Sequence, residues 1–341
     1  MGAIKKIAAV LLAALLIIPA EAVQEDKTFS DVPAKHWAAE SIQWAAYYGL
    51  MEGTGGQIFG LGQDMTRASY MTALCRLMGW EMLHPETGSF VDNQNPKKWY
   101  YSAIETAYAH EVLTDQSELC RPNDTITREE MAIMTIRALG YATLAGIVAE
   151  DCPFTDVFVG RGYIALAYHM GIVKGVGASL FHPKETATRE EAAVVLLRTY
   201  RRIHAEVTVT EGAAPEGVSL VQSIEDAENA LSPRVPLENV YAAAVANNET
   251  SLAFCAVPYA QEMRGDIVAE GGRELTQAEL NAVLANKSVQ LHRSTRYQSS
   301  CAFLSGPDGA TTIVWFESEE DIAAKLALCR LLGVETVYLV K

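Results

Sequence analysis

Three arginines, Arg67, Arg128 and Arg189, recur 61 residues apart, each directly after a threonine and each at the head of an apolar run: TRASYMTALCRLMG, TREEMAIMTIRALG and TREEAAVVLLRTYRRI. A guanidinium presents its N–H donors in a planar fork that suits a carboxylate or a phosphate. If the runs are helices, each arginine stands at the first helical position, where the dipole is positive and a cation costs about 0.3 kcal/mol or more. Thr127 with Glu130, and Thr188 with Glu191, have capping-box spacing, which accounts for the threonine and the glutamate but not for the arginine. In the first run Ser69 stands where the glutamate would be. Open amides and a guanidinium converging at a helix start would make an anion clamp. The plainer alternative is three solvated surface arginines. No second chemistry competes: there is no nucleophile elbow, the seven histidines have no metal spacing, and the six cysteines form no C-x-x-C pair. The pattern therefore implies no catalytic residue, no metal and no cofactor.

The elements that position these arginines form a repeat. The 61-residue offset also joins Phe59, Cys120 and Phe181, and Gly49, His110 and Gly171. Each unit opens on an aromatic-x-Asp: FSDV at Phe29, FVDN at Phe90 and FTDV at Phe154. The third opening comes 64 residues after the second, so that unit is three residues shorter before its glycine. Within a unit the pattern is helix, glycine-bounded or polar loop, helix.

The chain has 341 residues, room for two or three domains. It begins MGAIKKIAAVLLAALLIIPAEA: two lysines, an apolar run too short for a membrane span, and a small-x-small cleavage pattern. Residues 1–22 read as a signal peptide, which makes the mature chain exported, soluble and free of the membrane. Net charge is −15, and the segment after residue 204 carries 9 Lys/Arg against 19 Asp/Glu. That balance disfavours nucleic acid, so an anionic partner must be held by a few placed arginines. Export permits disulfides, but their pairing is not legible.

Aromatic-x-Asp-Val openings, a tryptophan within ten residues, a glycine-bounded turn, an aromatic-x-Pro stretch and Thr-Arg-Glu-Glu together resemble the surface-layer homology (SLH) module. Three copies, residues 29–79, 90–140 and 154–203, cover about half the chain. The resemblance implies a mainly α, pseudo-trimeric helical bundle, a monomer with internal pseudo-threefold symmetry. It implies non-covalent anchoring to a secondary cell-wall polysaccharide, commonly one carrying pyruvate ketals, and hence a secreted, cell-wall-associated protein. Carried over by position, it implies ligand contacts at Arg67, Arg128 and Arg189, at the openings Asp31, Asp92 and Asp156, and at Trp37 and Trp99. The tryptophans offer a stacking face for a sugar, or equally a packing surface. The aspartates could bind ligand, cap a helix or form Asx turns. The third unit has no tryptophan, Cys120 replaces Phe59 and Phe181, and Leu61 replaces the proline of Pro122 and Pro183. Unequal sites are the expectation.

Residues 205–231 read as an acidic linker and 232–341 as a smaller α/β domain. There NVYAAAV and SLAFCAV read as strands, LTQAELNAVLAN as a helix capped by Thr276 and Glu279, and the segment around Gly306-Pro307-Asp308-Gly309 as a hairpin. SEEDIAAKLALCRLLG reads as a helix, and VETVYLV as a final strand. Val314-Trp315-Phe316-Glu317, Asp321-Ile322, Lys325-Leu326 and Leu332-Gly333 resemble the end of a family 18-type glycoside hydrolase barrel. A full barrel needs about 250 residues, and the family's D-x-x-D-x-D-x-E acid motif does not occur here. Glu317, Glu319, Glu320 and Asp321 read as a solvated helix cap rather than as catalytic acids. The alternative function is a wall-targeted hydrolase acting on peptidoglycan or chitin-like glycans.

Overall fold

The computed structural model describes residues 28–114, 118–221, 232–246, 249–264, 267–268, 272–306 and 309–340. They divide into two compact units, one ending at Arg201 and one beginning at Arg202. The expected signal peptide lies outside the described residues. Helices dominate the first unit, sheets enter in the second, and the chain is α+β as a whole.

Each repeat of the first unit contributes a short helix and a longer one. The short helices are α1 (Ala39–Tyr47), α3 (Tyr101–Ala109) and α6 (Arg161–His169); the long ones are α2 (Arg67–Leu77), α4 (Arg128–Ala138) and α7 (Arg189–Ile203). A further helix, α5 (Ala142–Ile147), and a 3-10 turn join the second repeat to the third. Capping starts the long helices as the sequence requires. Thr127 Oγ1 accepts from Glu130 N while the Glu130 carboxylate accepts from Thr127 N. Thr188 and Glu191 do the same. Thr66 accepts from Ser69 N, so the first box is half made.

The repeats differ in register by one residue. The long helices keep the 61-residue offset, but α3 begins 62 residues after α1. His110 is therefore a helix C-cap rather than the counterpart of Gly49. Glu111 (φ 58°) takes the left-handed position that Gly49 (φ 65°) and Gly171 (φ 70°) hold, and it does so at the steric cost of a Cβ. A one-residue insertion in one repeat is absorbed by its turn, leaving the arginine helices in phase.

A ring of backbone hydrogen bonds closes the unit. Ile126 N donates to Met65 O (2.8 Å), Ala187 N to Ile126 O (2.9 Å), and Met65 N to Ala187 O (2.8 Å). Each residue lies two positions ahead of an arginine helix, and all three are buried. The link from the third repeat back to the first makes the order cyclic. The long helix of one repeat then packs on the short helix of the next: α2 on α3 and α4 on α6.

The second unit holds a parallel sheet in the order β1-β10-β3-β2, from Thr208–Glu211, Thr336–Val340, Ser251–Cys255 and Ser219–Val221. An antiparallel sheet runs β5-β4-β9-β8-β7 (Ile267–Val268, Tyr259–Arg264, Thr311–Phe316, Ser299–Ser305, Gln290–Ser294), with β6 (Arg273–Glu274) also on β4. Three helices complete it: α8 (Leu237–Ala246), α9 (Gln277–Ala285) and α10 (Glu319–Leu332). Two expectations are corrected. NVYAAAV is not a strand but the body of α8; Val240, Tyr241 and Ala244 are buried at helical spacing, and a short apolar run cannot by itself separate the two periods. Part of the supposed linker is sheet, since Thr208–Glu211 and Ser219–Val221 pair with the buried strands β10 and β3. The β8–β9 hairpin, the Thr276 cap and the final strand are as read; Pro307 and Asp308 fall outside the described residues.

Because the ring is closed, weakening one link should weaken all three repeats. Ala187→Pro removes the donor to Ile126 O and should lower the stability of the helical unit by about 1 kcal/mol or more. In urea, the CD and tryptophan-fluorescence transitions should shift together to a lower midpoint rather than separate.

Candidate functional site

The three arginines do not lie open at their helix starts. The amides expected there are already bonded: Arg67 N and Ala68 N donate to Asp124 O and Pro122 O, Arg128 N and Glu129 N to Glu185 O and Pro183 O, and Arg189 N to Gln63 O. Each helix start is thus capped by the loop of the following repeat. The guanidinium reaches over the same loop. Arg67 Nε donates to Cys120 O, Arg128 Nε to Phe181 O, and Arg189 Nε to Phe59 O, each at 3.0 Å. Arg128 and Arg189 add Nη2 bonds to Lys174 O and Glu52 O. They also lie over the rings of Phe181 and Phe59, at 4.8 and 4.9 Å from the centroids. Cys120 supplies no such ring, and Arg67 is the most buried of the three, at 6% exposure. Burial pulls Arg67 below the ordinary guanidinium range, and the Glu130 carboxylate, 2.8 Å from its Nη1, opposes this. These carbonyls and carboxylates offset the unfavourable place in the dipole that the sequence left unexplained.

The opening aspartates hold the loops that the arginines grip. Asp31 accepts from the amides of Phe59, Gly60 and Leu61 at 2.8–2.9 Å. Asp92 accepts from Cys120 N and Arg121 N, and Asp156 from Phe181 N and His182 N. Burial would raise these carboxyls, but the backbone donors outweigh it and hold all three below their usual range. Neither helix capping nor an Asx turn describes them. Each is a clamp across 25–30 residues, from a repeat's opening to its own loop.

The tryptophans are exposed, Trp37 at 63% and Trp99 at 64%. Trp37 shares a groove of about 240 Å³ with Arg128, Lys174, Glu191 and Arg198. The aromatic of the first repeat, an arginine of the second and two cations of the third thus meet in one place. Sequence order would have placed Trp37 with Arg67. Arg198 and Lys174 were not singled out in advance. Arg76, Arg137 and Arg198 share the 61-residue period, and that was the signal available for Arg198. Each of these donates to a carbonyl of its own repeat: Gly49 O, Val112 O and Ile172 O. The third repeat lacks a tryptophan but exposes Phe158 (84%) beside a second cavity of about 370 Å³, lined also by Glu129, Asp156, His182 and Lys184.

In the second unit the acids around the start of α10 separate by burial. Asp321 and Lys325 are fully buried, while Glu320 stays exposed. Glu317 pairs with Lys325 Nζ and accepts from Ser299 Oγ (2.8 Å). Asp321 accepts from Arg293 Nε (2.7 Å), Ser300 Oγ and the Ser318 cap. Burial pushes the Glu317 carboxyl up to about 7 against the pull of Lys325 and Ser299. The reading of all four acids as a solvated cap is therefore corrected for Glu317 and Asp321, which are internal ion-pair partners. The six cysteines are free and buried, no cluster of the described residues could hold a metal ion, and no described helix is long and apolar enough to cross a membrane.

Two stability measurements check these roles. Arg67→Ala strands the Cys120 carbonyl and should cost about 2 kcal/mol in urea unfolding, whereas Trp37→Ala should leave the midpoint unchanged. Lys325→Met leaves Glu317 buried without its cation and should cost about 3 kcal/mol or more; adding Glu317→Gln should recover most of the loss.

The S-layer homology domain model matches residues 28–71, 94–132 and 153–193. The chain is 33% identical over 184 residues to an amylopullulanase of Thermoanaerobacterium thermosulfurigenes, covering 51% of this chain and 10% of that one. It is 30% identical to exoglucanase XynX of Acetivibrio thermocellus (52% and 17%). It is 29% identical to the S-layer protein sap of Bacillus anthracis (55% and 23%). The chain thus spans less than a quarter of the length of each of these relatives. Among solved structures, the spore cortex-lytic enzyme SleL of Bacillus cereus aligns at 13% identity and a TM-score of 0.29, over 44% of this chain and 42% of that one, a likeness that fixes neither fold nor chemistry. The cyclic helical unit, with its three arginine helices, is a triplet of S-layer homology domains.

Proposed function

We propose that this chain anchors to the bacterial cell wall at the cell surface, binding an anionic secondary wall polysaccharide, one bearing pyruvate ketals, through its SLH triplet. The observation that carries the reading is the groove where exposed Trp37 lies with Arg128, Lys174 and Arg198. An apolar ring face suits the axial C–H groups of a sugar, and three cations against the single carboxylate of Glu191 favour an anion. An amylopullulanase, an exoglucanase and an S-layer protein are among the chain's relatives, which supports a surface-anchoring part shared by proteins of different activity. The arginines and aspartates build the grooves first, and the ligand meets what they leave open: the ring face of Trp37, the cation of Lys174 and the outer edges of the guanidiniums. Binding needs no catalytic group. In the second unit the buried acids Glu317 and Asp321 are engaged by Lys325 and Arg293, which supports a structural role for them over glycan hydrolysis.

The test is co-sedimentation of the chain with purified wall sacculi, before and after mild acid removal of pyruvate. Retention should depend on the pyruvate, and Trp37→Ala should weaken it roughly tenfold, as for an interface hot spot, with folding intact. Equal retention on depyruvylated sacculi would overturn the ligand assignment. No retention on either would overturn the anchoring reading.

A further inference from the structure

The third repeat departs from the other two at one place on its surface. Two residues after the opening aspartate, the first repeat has Pro33-Ala34 and the second Gln94-Asn95; the third has Phe158-Val159. Both side chains stand in solvent, 84% and 61% exposed, although Val157 beside them is fully buried. The turn that presents them is pressed onto α4. Gly160 sits at φ 66°, and a Cβ there would lie 3.0 Å from Ile133 Cδ1 and 3.5 Å from Glu129 Cγ. The backbone at Gly160 thus lies directly against the stem of Glu129.

Phe158, Val159, Pro183 and Glu129 share the walls of the cavity of about 370 Å³. Glu129 is buried; its Oε2 accepts from Lys184 Nζ, and its Oε1 has no hydrogen-bond partner. The repeat explains the omission. The counterpart of Glu129 in the third repeat, Glu190, has both oxygens on the amide of Gly62, at 3.2 and 3.0 Å. The counterpart of Gly62 at this seam is Lys184, two 61-residue periods on, so a side chain replaces an amide and one oxygen is left over. In the first repeat the position is Ala68, with no acid at all. A buried carboxylate oxygen without a donor is costly unless something supplies one. Lys184 is 73% exposed along its side chain, so its ammonium reaches Glu129 from solvent and can swing back into it. The other acids of the wall add negative charge: Asp156 is bonded to the amides of Phe181 and His182, and Glu185 lies 2.8 Å from His182 Nδ1.

We propose that this cavity binds an aliphatic ammonium group, whose stem packs on Phe158, Val159 and Pro183 while its N–H donors take the open oxygen of Glu129. The ligand's chemistry is that of a lysine side chain or of a free alkyl amine, an apolar stem ending in a cation. Lys184 is the protein's own stand-in and competes with the ligand for the carboxylate. Three carboxylates on the wall against the one lysine disfavour an anion here. The exposed apolar pair and the acid with a free oxygen coincide in the third repeat alone, so the chain has one such site. The cavity shares no lining residue with the Trp37 groove, and its assignment does not rest on wall anchoring.

The experiment titrates the full mature chain with n-butylammonium and, separately, with Nα-acetyl-lysine methylamide, near neutral pH where both amines are charged. Binding is followed by ligand-observed NMR, with n-butanol and butyrate as controls. Both ammonium probes should bind, n-butanol about tenfold more weakly, the scale of one charge-assisted hydrogen bond, and butyrate not detectably. Phe158→Ala lies at the surface and should keep the unfolding midpoint while weakening both probes roughly tenfold. Lys184→Gln removes the competitor and should tighten both probes about threefold or more; Glu129→Gln should bring them down to the level of n-butanol. Equal binding of n-butanol and n-butylammonium, or unchanged binding by Phe158→Ala or Glu129→Gln, would overturn the site. No tightening in Lys184→Gln would overturn the competition for Glu129. Tighter binding of the lysine amide than of n-butylammonium assigns the ligand to a polypeptide, and equal affinities assign it to free amines; either supports the proposal.

Discussion

The helical unit depends on a ring of three backbone hydrogen bonds that runs from Met65 to Ala187 to Ile126 and back to Met65. Each bond alone is worth about 1 kcal/mol. Their weight comes from position, since the residue that joins the ring is followed at once by a capped threonine and then by the arginine of the long helix. Closing the ring fixes where three helix starts stand, and every other inter-repeat contact is built from those starts. A chain of two repeats would leave one helix start uncapped and one guanidinium without its carbonyl.

From the ring outward, the repeat is a linkage of charged groups acting through backbone. The opening aspartate bonds the amides of its own loop, the loop turns its carbonyls outward, and the arginine of the preceding repeat takes those carbonyls. An arginine at the first position of a helix, unfavourable in isolation, is offset here by carbonyl oxygens, by a ring face in two seams and by a glutamate in two seams. The three seams share this linkage but differ in what completes it: Cys120 for phenylalanine in one, Ser69 for glutamate in another. Repetition supplies the scaffold, and departures from it supply the differences in chemistry.

The second unit shows the opposite use of charge. Lys325 and Glu317 are withdrawn from water together, with Ser299 satisfying both, while Arg293 and Ser300 hold Asp321 at the start of α10. Burial raises the Glu317 carboxyl toward 7, and its neighbours are a cation and a hydroxyl of the same fold. Such a network fixes how the hairpin of β8 and β9 meets α10. A perturbed carboxyl is a common mark of a reactive site, but here the burial that perturbs it also encloses it.

Much of this was legible in the sequence, because local chemistry carries it. Capping-box spacing located the long helices, period and turn residues located the repeats, and the β8–β9 hairpin and α10 followed from alternation and caps. The helix at Val240–Ala244 was misread because a short alanine-rich run fits either period, and β1 and β2 were missed because they are stabilised by parallel partners over a hundred residues and about thirty residues away, respectively. The anomaly of the three arginines was visible, but its resolution was not. Only the cyclic closure decided that Arg189 meets Phe59, that Trp37 stands beside Arg128 and that Arg67 and Arg128, but not Arg189, pair with a glutamate of the next repeat's cap. Those contacts join residues up to 130 positions apart. Sequence spacing reports what lies one helical turn away, whereas a closed ring decides what lies across the seam.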